Sequence, residues 1–221
     1  MRNRRRNFTL VELLVVIGII AVLAGMLMAG IMYAPAKAQR AKAQAEITTL
    51  VNAIKQYEST YGVLPIPSGA IDTKDILKGQ NGRLPNSEDS GTNYYKQMIL
   101  ILQADTSNSD YTDALKKQNK RQTRFLDIQG NESGTYTDPW GNDYMVYFDA
   151  TYDGKIDLSV GSGNCIPGVN TSDKIFRYSV VVYSKGHDRK DNTTASNSTN
   201  EDNVYSFPTT WSSSTGHNIS K

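Results

Sequence analysis

From Phe8 to Tyr33 the chain runs through 26 apolar or small residues in which Glu12 is the only charge. At about 1.5 Å per residue a helix of that length reaches roughly 39 Å, against a bilayer core of about 30 Å, so the run predicts a membrane-spanning helix. Pro35 follows, and an internal proline removes one hydrogen bond and kinks a helix, which predicts a bend there. Next come Ala, Gln, Lys and Glu from Lys37 to Tyr61, with Ile47, Leu50, Val51, Ile54, Tyr57 and Tyr61 on one stripe. That spacing predicts an amphipathic helix that lays one face on a sheet. Gly62 stops it, and Pro65, Pro67 and Gly69 mark a turn-rich exit.

The pattern is weaker beyond that point. Ser68 to Ser90 is polar and reads as a surface loop with a brief helical hint at Asp72 to Leu77. Tyr94 to Leu102 fits a buried strand or a helix, with helix favoured, and Asp110 to Gln122 predicts a short basic helix. Asp138-Pro139-Trp140-Gly141-Asn142 places Pro and Gly at turn-forming spacing, and Tyr144 to Phe148 follows as a strand. Phe176 to Tyr183, with three consecutive valines, predicts a second strand. The tail from Thr209 to Lys221 reads as flexible apart from Trp211. The expected class is α+β: a long N-terminal helix, half membrane-spanning and half amphipathic, packed on a small antiparallel β-sheet. The segments are a basic leader at 1–7, a span at 8–34, its amphipathic continuation at 35–61 and one globular domain at 62–221.

Charge fixes an orientation. Four arginines among the first six residues, unbalanced by acid, hold that end on the cytoplasmic side and put the globular region outside the cytoplasm. With 24 basic and 22 acidic residues the net charge is +2, and without the four leader arginines the chain is near neutral or slightly acidic, so nothing favours nucleic-acid binding. The single cysteine, Cys165, excludes an intrachain disulfide framework and a thiolate metal cluster. Two histidines, no Gly-rich phosphate loop and no zinc spacing argue against an enzyme. The 13 tyrosines read as core and interface residues.

Glu12 is the anomaly. A carboxylate near the end of a membrane helix costs on the order of 2 to 3 kcal/mol, so it calls for a partner. The run Phe8-Thr9-Leu10-Val11-Glu12-Leu13-Leu14-Val15-Val16-Ile17 after a short basic leader resembles the class III signal of type IV pilins and type II secretion pseudopilins. The resemblance implies that prepilin peptidase cuts between Asn7 and Phe8 and methylates the new amine. It implies that Glu12 pairs with the terminal amine of a neighbouring subunit, which sets the register of a helical homopolymer. It also implies a bacterial inner-membrane location, an inner-membrane assembly platform, other pseudopilins as partners and a pilin-like fold that ends in a periplasmic or cell-surface filament. The family places Gly before the cut, where this chain has Asn7. An ordinary secretory signal ending at Ala34, Ala36 and Ala38 is the rival reading, against which stand the length of the run and Glu12.

Asp138-Pro139-Trp140-Gly141-Asn142 with its following tyrosine-rich strand resembles the major-pseudopilin group, and the lone cysteine fits that side of the family, whose domains often use calcium in place of a C-terminal disulfide. Carried over, the calcium ligands are Asp188 and Asp202, with Glu201 or Asn203 beside Asp202, in a loop lengthened by the polar run Asn192 to Asn200. A second calcium candidate is Asp149, Asp153 and Asp157, which follow EF-hand spacing with Gly154 at the sharp turn, although Val160 stands where a bidentate Glu belongs. The functional expectation is a structural subunit of a type II secretion pseudopilus. An adhesion or motility pilin and a membrane-anchored binding domain are the alternatives.

Overall fold

The computed structural model describes residues 9–31, 34–128, 136–159, 164–170 and 174–219, with side chains in the first helix described to Met26. The chain divides into two units, Met1–Ala41 and Lys42–Lys221. The first holds α1, Leu10–Ile31, and the start of α2, Ala34–Tyr61. Pro35 is the second residue of α2, where its missing N–H leaves no hydrogen bond unmade. The bend expected at Pro35 involves residues 32 and 33, outside the described ones.

In the second unit, α2 ends at Gly62, whose φ of 70° is a left-handed value and whose N–H reaches the Glu58 carbonyl at 2.7 Å. Of the expected stripe, Ile47, Leu50, Ile54 and Tyr57 are buried together with Ala43 and Ala53, while Val51 and Tyr61 are half-buried. Tyr94–Gln103 is α3, a helix rather than a strand: the Asn93 side chain caps it by accepting from the Lys96 N–H at 2.8 Å. The basic helix α4 is shorter than expected, Asp113–Gln118.

The central sheet is β3 (Met145–Phe148), β6 (Val180–Ser184) and β7 (Val204–Tyr205), antiparallel in the order β3-β6-β7. Successive side chains point to opposite faces. Val146, Phe148, Val180, Val182 and Val204 join α2 and α3 in one core. Met145, Tyr147, Val181, Tyr183 and Tyr205 join a second core with Ile156, Leu158, Ile166 and Phe207. The sheet is therefore buried on both faces, where an amphipathic helix alone would bury one.

Several expectations are corrected here. Asp72 to Leu77 is not helical: β1 (Ile71–Thr73) and β2 (Ile76–Leu77) form an antiparallel hairpin. Phe176 to Tyr183 is not one strand: β5 (Ile175–Phe176) pairs with β4 (Ile156–Asp157), and β6 begins at Val180 in the central sheet. The tail is ordered as a hairpin, β8 (Thr209–Ser212) with β9 (Gly216–Ile219), because His217 is buried against Tyr205 and its ring nitrogens meet the Thr209 hydroxyl and the Asn200 carbonyl. Nor is Ser68 to Ser90 wholly surface: Arg83, Leu84 and Asn86 are buried.

Candidate functional site

Thr9 stands immediately before α1, and Glu12 is the third residue inside it. The Glu12 carboxylate accepts the Thr9 N–H and the Thr9 hydroxyl, each at 2.9 Å, while the Glu12 N–H donates to the Thr9 hydroxyl oxygen at 3.3 Å. This is a reciprocal capping box that satisfies first-turn donors which have no partner within the helix. The sequence signal for it, Thr-x-x-Glu ahead of an apolar run, was present in Thr9 to Glu12 and lay under the stronger pattern of the apolar run. Beyond the cap, Leu10, Val11, Leu13, Leu14, Val15, Val16, Ile17, Ile19 and Ile20 are all exposed, as are Val22, Leu23 and Met26. Around Gly18 and Gly25 there is open space, so another backbone can come close at those two positions. Asn7 and Phe8, the expected processing residues, lie outside the described residues, as does the rest of the basic leader.

The two calcium candidates differ in geometry. Asp149 and Asp153 are brought together, and the third member is Asp75 rather than Asp157, with ligand atoms of the three within 4.8 Å of one another. Asp75 lies in the β1–β2 turn, 74 positions before Asp149 in the chain, so no local pattern could have paired them. Its carboxylate accepts the Thr151 N–H at 3.0 Å and the Asp157 N–H at 2.9 Å. That of Asp149 accepts the Gly154 N–H at 2.8 Å and the Asp153 N–H at 3.2 Å. Asp75 and Asp149 are buried, and Asp153 is exposed with Lys155 3.5 Å away. The Asp157 side chain turns instead to the Ser159 N–H and hydroxyl, which hold its carboxyl below the usual range. Residues 149–155 join two strands, β3 and β4, and are not flanked by the helices of an EF-hand.

In the other loop, the Asp202 carboxylate accepts the Asp188 N–H at 3.0 Å, a contact between one side chain and one main chain. Among the described residues, Asp188, Glu201 and Asp202 do not gather their carboxylates into one group. Asn203 is buried and donates to the Tyr205 hydroxyl at 3.1 Å. Gly186 packs against Asp202, which fixes the turn that leads into this loop.

The Asp138–Asn142 turn is anchored by its first residue. Asp138 is buried, its carboxylate accepts the N–H groups of Trp140 and Asn142 at 3.0 and 2.8 Å, and it accepts the Ser184 hydroxyl at 2.6 Å. It thereby ties the turn before β3 to the end of β6.

Residues 2–28 match the prokaryotic N-terminal methylation motif. The match covers the basic leader, the Asn7–Phe8 junction, Glu12 and most of α1, and it supports a type IV pilin-like protein of the prepilin type. No curated protein and no solved structure matches the chain. Among the described residues no helix is long and apolar enough to cross a membrane. From Leu10 to Met26, where side chains are described, a helix covers about 26 Å, less than the roughly 30 Å of a bilayer core.

Proposed function

We propose that this protein is a structural subunit of a helical pilus-like filament, of the type II secretion pseudopilus kind, and not an enzyme. The observation that carries the reading is the methylation motif over residues 2–28 set on a helix whose apolar side chains are exposed all round. Such a surface is stable in lipid or against other apolar helices and unstable in water. Prepilin peptidase cuts between Asn7 and Phe8, a single-pass anchor formed by residues 8–34 stores the subunit in the inner membrane, and an inner-membrane platform assembles it with its own copies and other pseudopilins. The span rests on the sequence, where the apolar run continues to Tyr33 beyond the described side chains. The secretion role, against a surface pilus, rests on the resemblance of Asp138-Pro139-Trp140-Gly141-Asn142 to major pseudopilins. The mass of the mature N-terminus tests the class: a chain starting at methylated Phe8 is expected, and one starting after Ala38 would overturn it. Electron microscopy of expressing cells tests the role, since long surface fibres would point to a motility or adhesion pilin.

Calcium is part of the proposal. The EF-hand-like spacing over 149–157 and the convergence of Asp75, Asp149 and Asp153 favour that loop over Asp188 to Asn203. Calcium takes six to eight oxygens, so carbonyls or water complete the shell. Chelator is expected to lower the thermal midpoint, and Asp153→Asn, at an exposed position, to abolish that response. Unchanged melting with chelator would remove calcium from the reading.

A further inference from the structure

Outside α1, the large hydrophobic side chains exposed among the described residues are Val63 (48%), Ile71 (44%) and Tyr152 (50%). Isolated exposed apolar residues are ordinary on a protein surface, whereas a cluster around a hollow marks a binding site. All three border one open cleft of about 450 Å³, within the size range of small-ligand sites. Tyr57 and Tyr61 of α2 form one wall. Their hydroxyls are engaged, with the Gln118 carbonyl at 2.9 Å and the Asn119 side-chain oxygen at 2.6 Å, so the rings are fixed: half-buried Tyr61 offers its carbon surface to the cleft, and fully buried Tyr57 backs it.

Tyr152 lines the cleft as well. Its φ of 59° is left-handed, an unusual conformation for a bulky residue, and its hydroxyl accepts the Leu64 N–H at 2.8 Å, which pins the ring beside the opening. Lys117 and Lys120 also line the cleft and are exposed. Neither takes part in the ion pairs found among the described residues, while their neighbour Lys116 is paired with Asp113. No carboxylate lines the cleft among the described residues. An aromatic and aliphatic lining that includes two ammonium groups outside those ion pairs is complementary to one chemistry, an apolar body that carries an anion.

We propose that this cleft binds a carboxylate borne on an aromatic or branched apolar group, the ring or side chain lying among Tyr57, Tyr61 and Tyr152 and the carboxylate meeting Lys117 and Lys120. Two sources share that chemistry: a small free acid, and the C-terminal residue of a polypeptide. The inference does not rest on the filament reading, because every residue that lines the cleft lies in the unit Lys42–Lys221.

Isothermal titration of the full-length protein in lipid nanodiscs tests it, with N-acetyl-L-phenylalanine, its uncharged amide, and a short peptide ending in a free-acid phenylalanine. Saturable binding of an acid is expected, with the amide about 5- to 10-fold weaker, as loss of two partly exposed ion pairs gives. Lys117→Gln with Lys120→Gln should bring the acid to the affinity of the amide, and Tyr152→Ala should weaken both. Binding of the free acid but not the peptide assigns a small molecule, and tighter binding of the peptide assigns a chain terminus. Absence of saturable binding to all three, equal affinity for acid and amide, or a lysine double variant that binds the acid like the wild type would overturn the proposal.

Discussion

The Glu12 carboxylate holds the Thr9 N–H and the Thr9 hydroxyl at 2.9 Å each, so within a single chain Glu12 already has a partner. Its proposed pairing with a neighbouring subunit's amine is therefore a second role, and the two can be separated. Glu12→Gln keeps an oxygen that can accept the Thr9 N–H but removes the charge, whereas Thr9→Ala keeps the charge and removes the hydroxyl. Loss of an N-terminal cap costs about 0.5 to 2 kcal/mol of helix stability. Filament yield is expected to collapse in Glu12→Gln and to survive in Thr9→Ala. Wild-type filament yield from Glu12→Gln would reduce Glu12 to a helix cap.

Arg83 is a fully buried, charged side chain. Its guanidinium donates to Asp89 at 2.7 Å and to Asn86 at 3.1 Å and lies 3.5 Å from Glu88, which Lys185 reaches at 2.6 Å. Removing one partner of a buried pair strands the other, at about 3 to 5 kcal/mol. Arg83→Met is expected to destabilise by that order in denaturant melts, and Arg83→Met combined with Asp89→Asn to recover part of the loss. Additive effects in the double variant would show that the pair is not coupled.

Gly186 and Gly141 both have positive φ, 71° and 87°, but differ in surroundings. A Cβ on Gly186 would lie 2.5 Å from the Asp202 carbonyl oxygen and 2.6 Å from its carboxylate carbon, while one on Gly141 would meet nothing within 4 Å. Gly141→Ala is expected to show only the backbone penalty, about 1 to 2 kcal/mol. Gly186→Ala adds overpacking and should lose about 2 to 5 kcal/mol. Equal losses in chemical denaturation would mean that the contact with Asp202 yields freely.

Alkaline pH should unfold the globular region. Burial, with the neighbouring phenols adding, pushes Tyr57 up to about 12, and burial with Glu46 nearby pushes Tyr136 to about 12. Burial drives Tyr95, Tyr147 and Tyr183 well above the ordinary range. In the unfolded chain these phenols ionise near pH 10, so the folded state holds more protons above that value. The stability they contribute is complete below about pH 10 and falls as pH rises towards about 12. Calorimetry should show the midpoint dropping across that window, with phenolate absorbance rising in step with unfolding. Free titration of all the tyrosines near pH 10 without loss of structure would contradict this.

The sequence by itself determined what depends on near neighbours in the chain. The helical conformation of α1, the apolar stripe from Ile47 to Tyr57, the stop at Gly62 and the Asp138–Asn142 turn were legible because helix periodicity, capping and turn geometry act over a few residues. The methylation motif was legible for the same reason: Phe8 and Glu12 are four positions apart. What the tertiary structure alone decided are arrangements between distant segments. Asp75 meets Asp149 only because the β1–β2 hairpin brings it there, and Asp157, which fits the local spacing, turns away to Ser159. The split of Phe176 to Tyr183 between two sheets depends on β4 as a competing partner. The order of the tail depends on a buried place for His217 beside Tyr205. The cleft of Tyr57, Val63, Lys117 and Tyr152 draws on segments nearly a hundred residues apart, and a contact over that distance leaves no periodic trace in the chain.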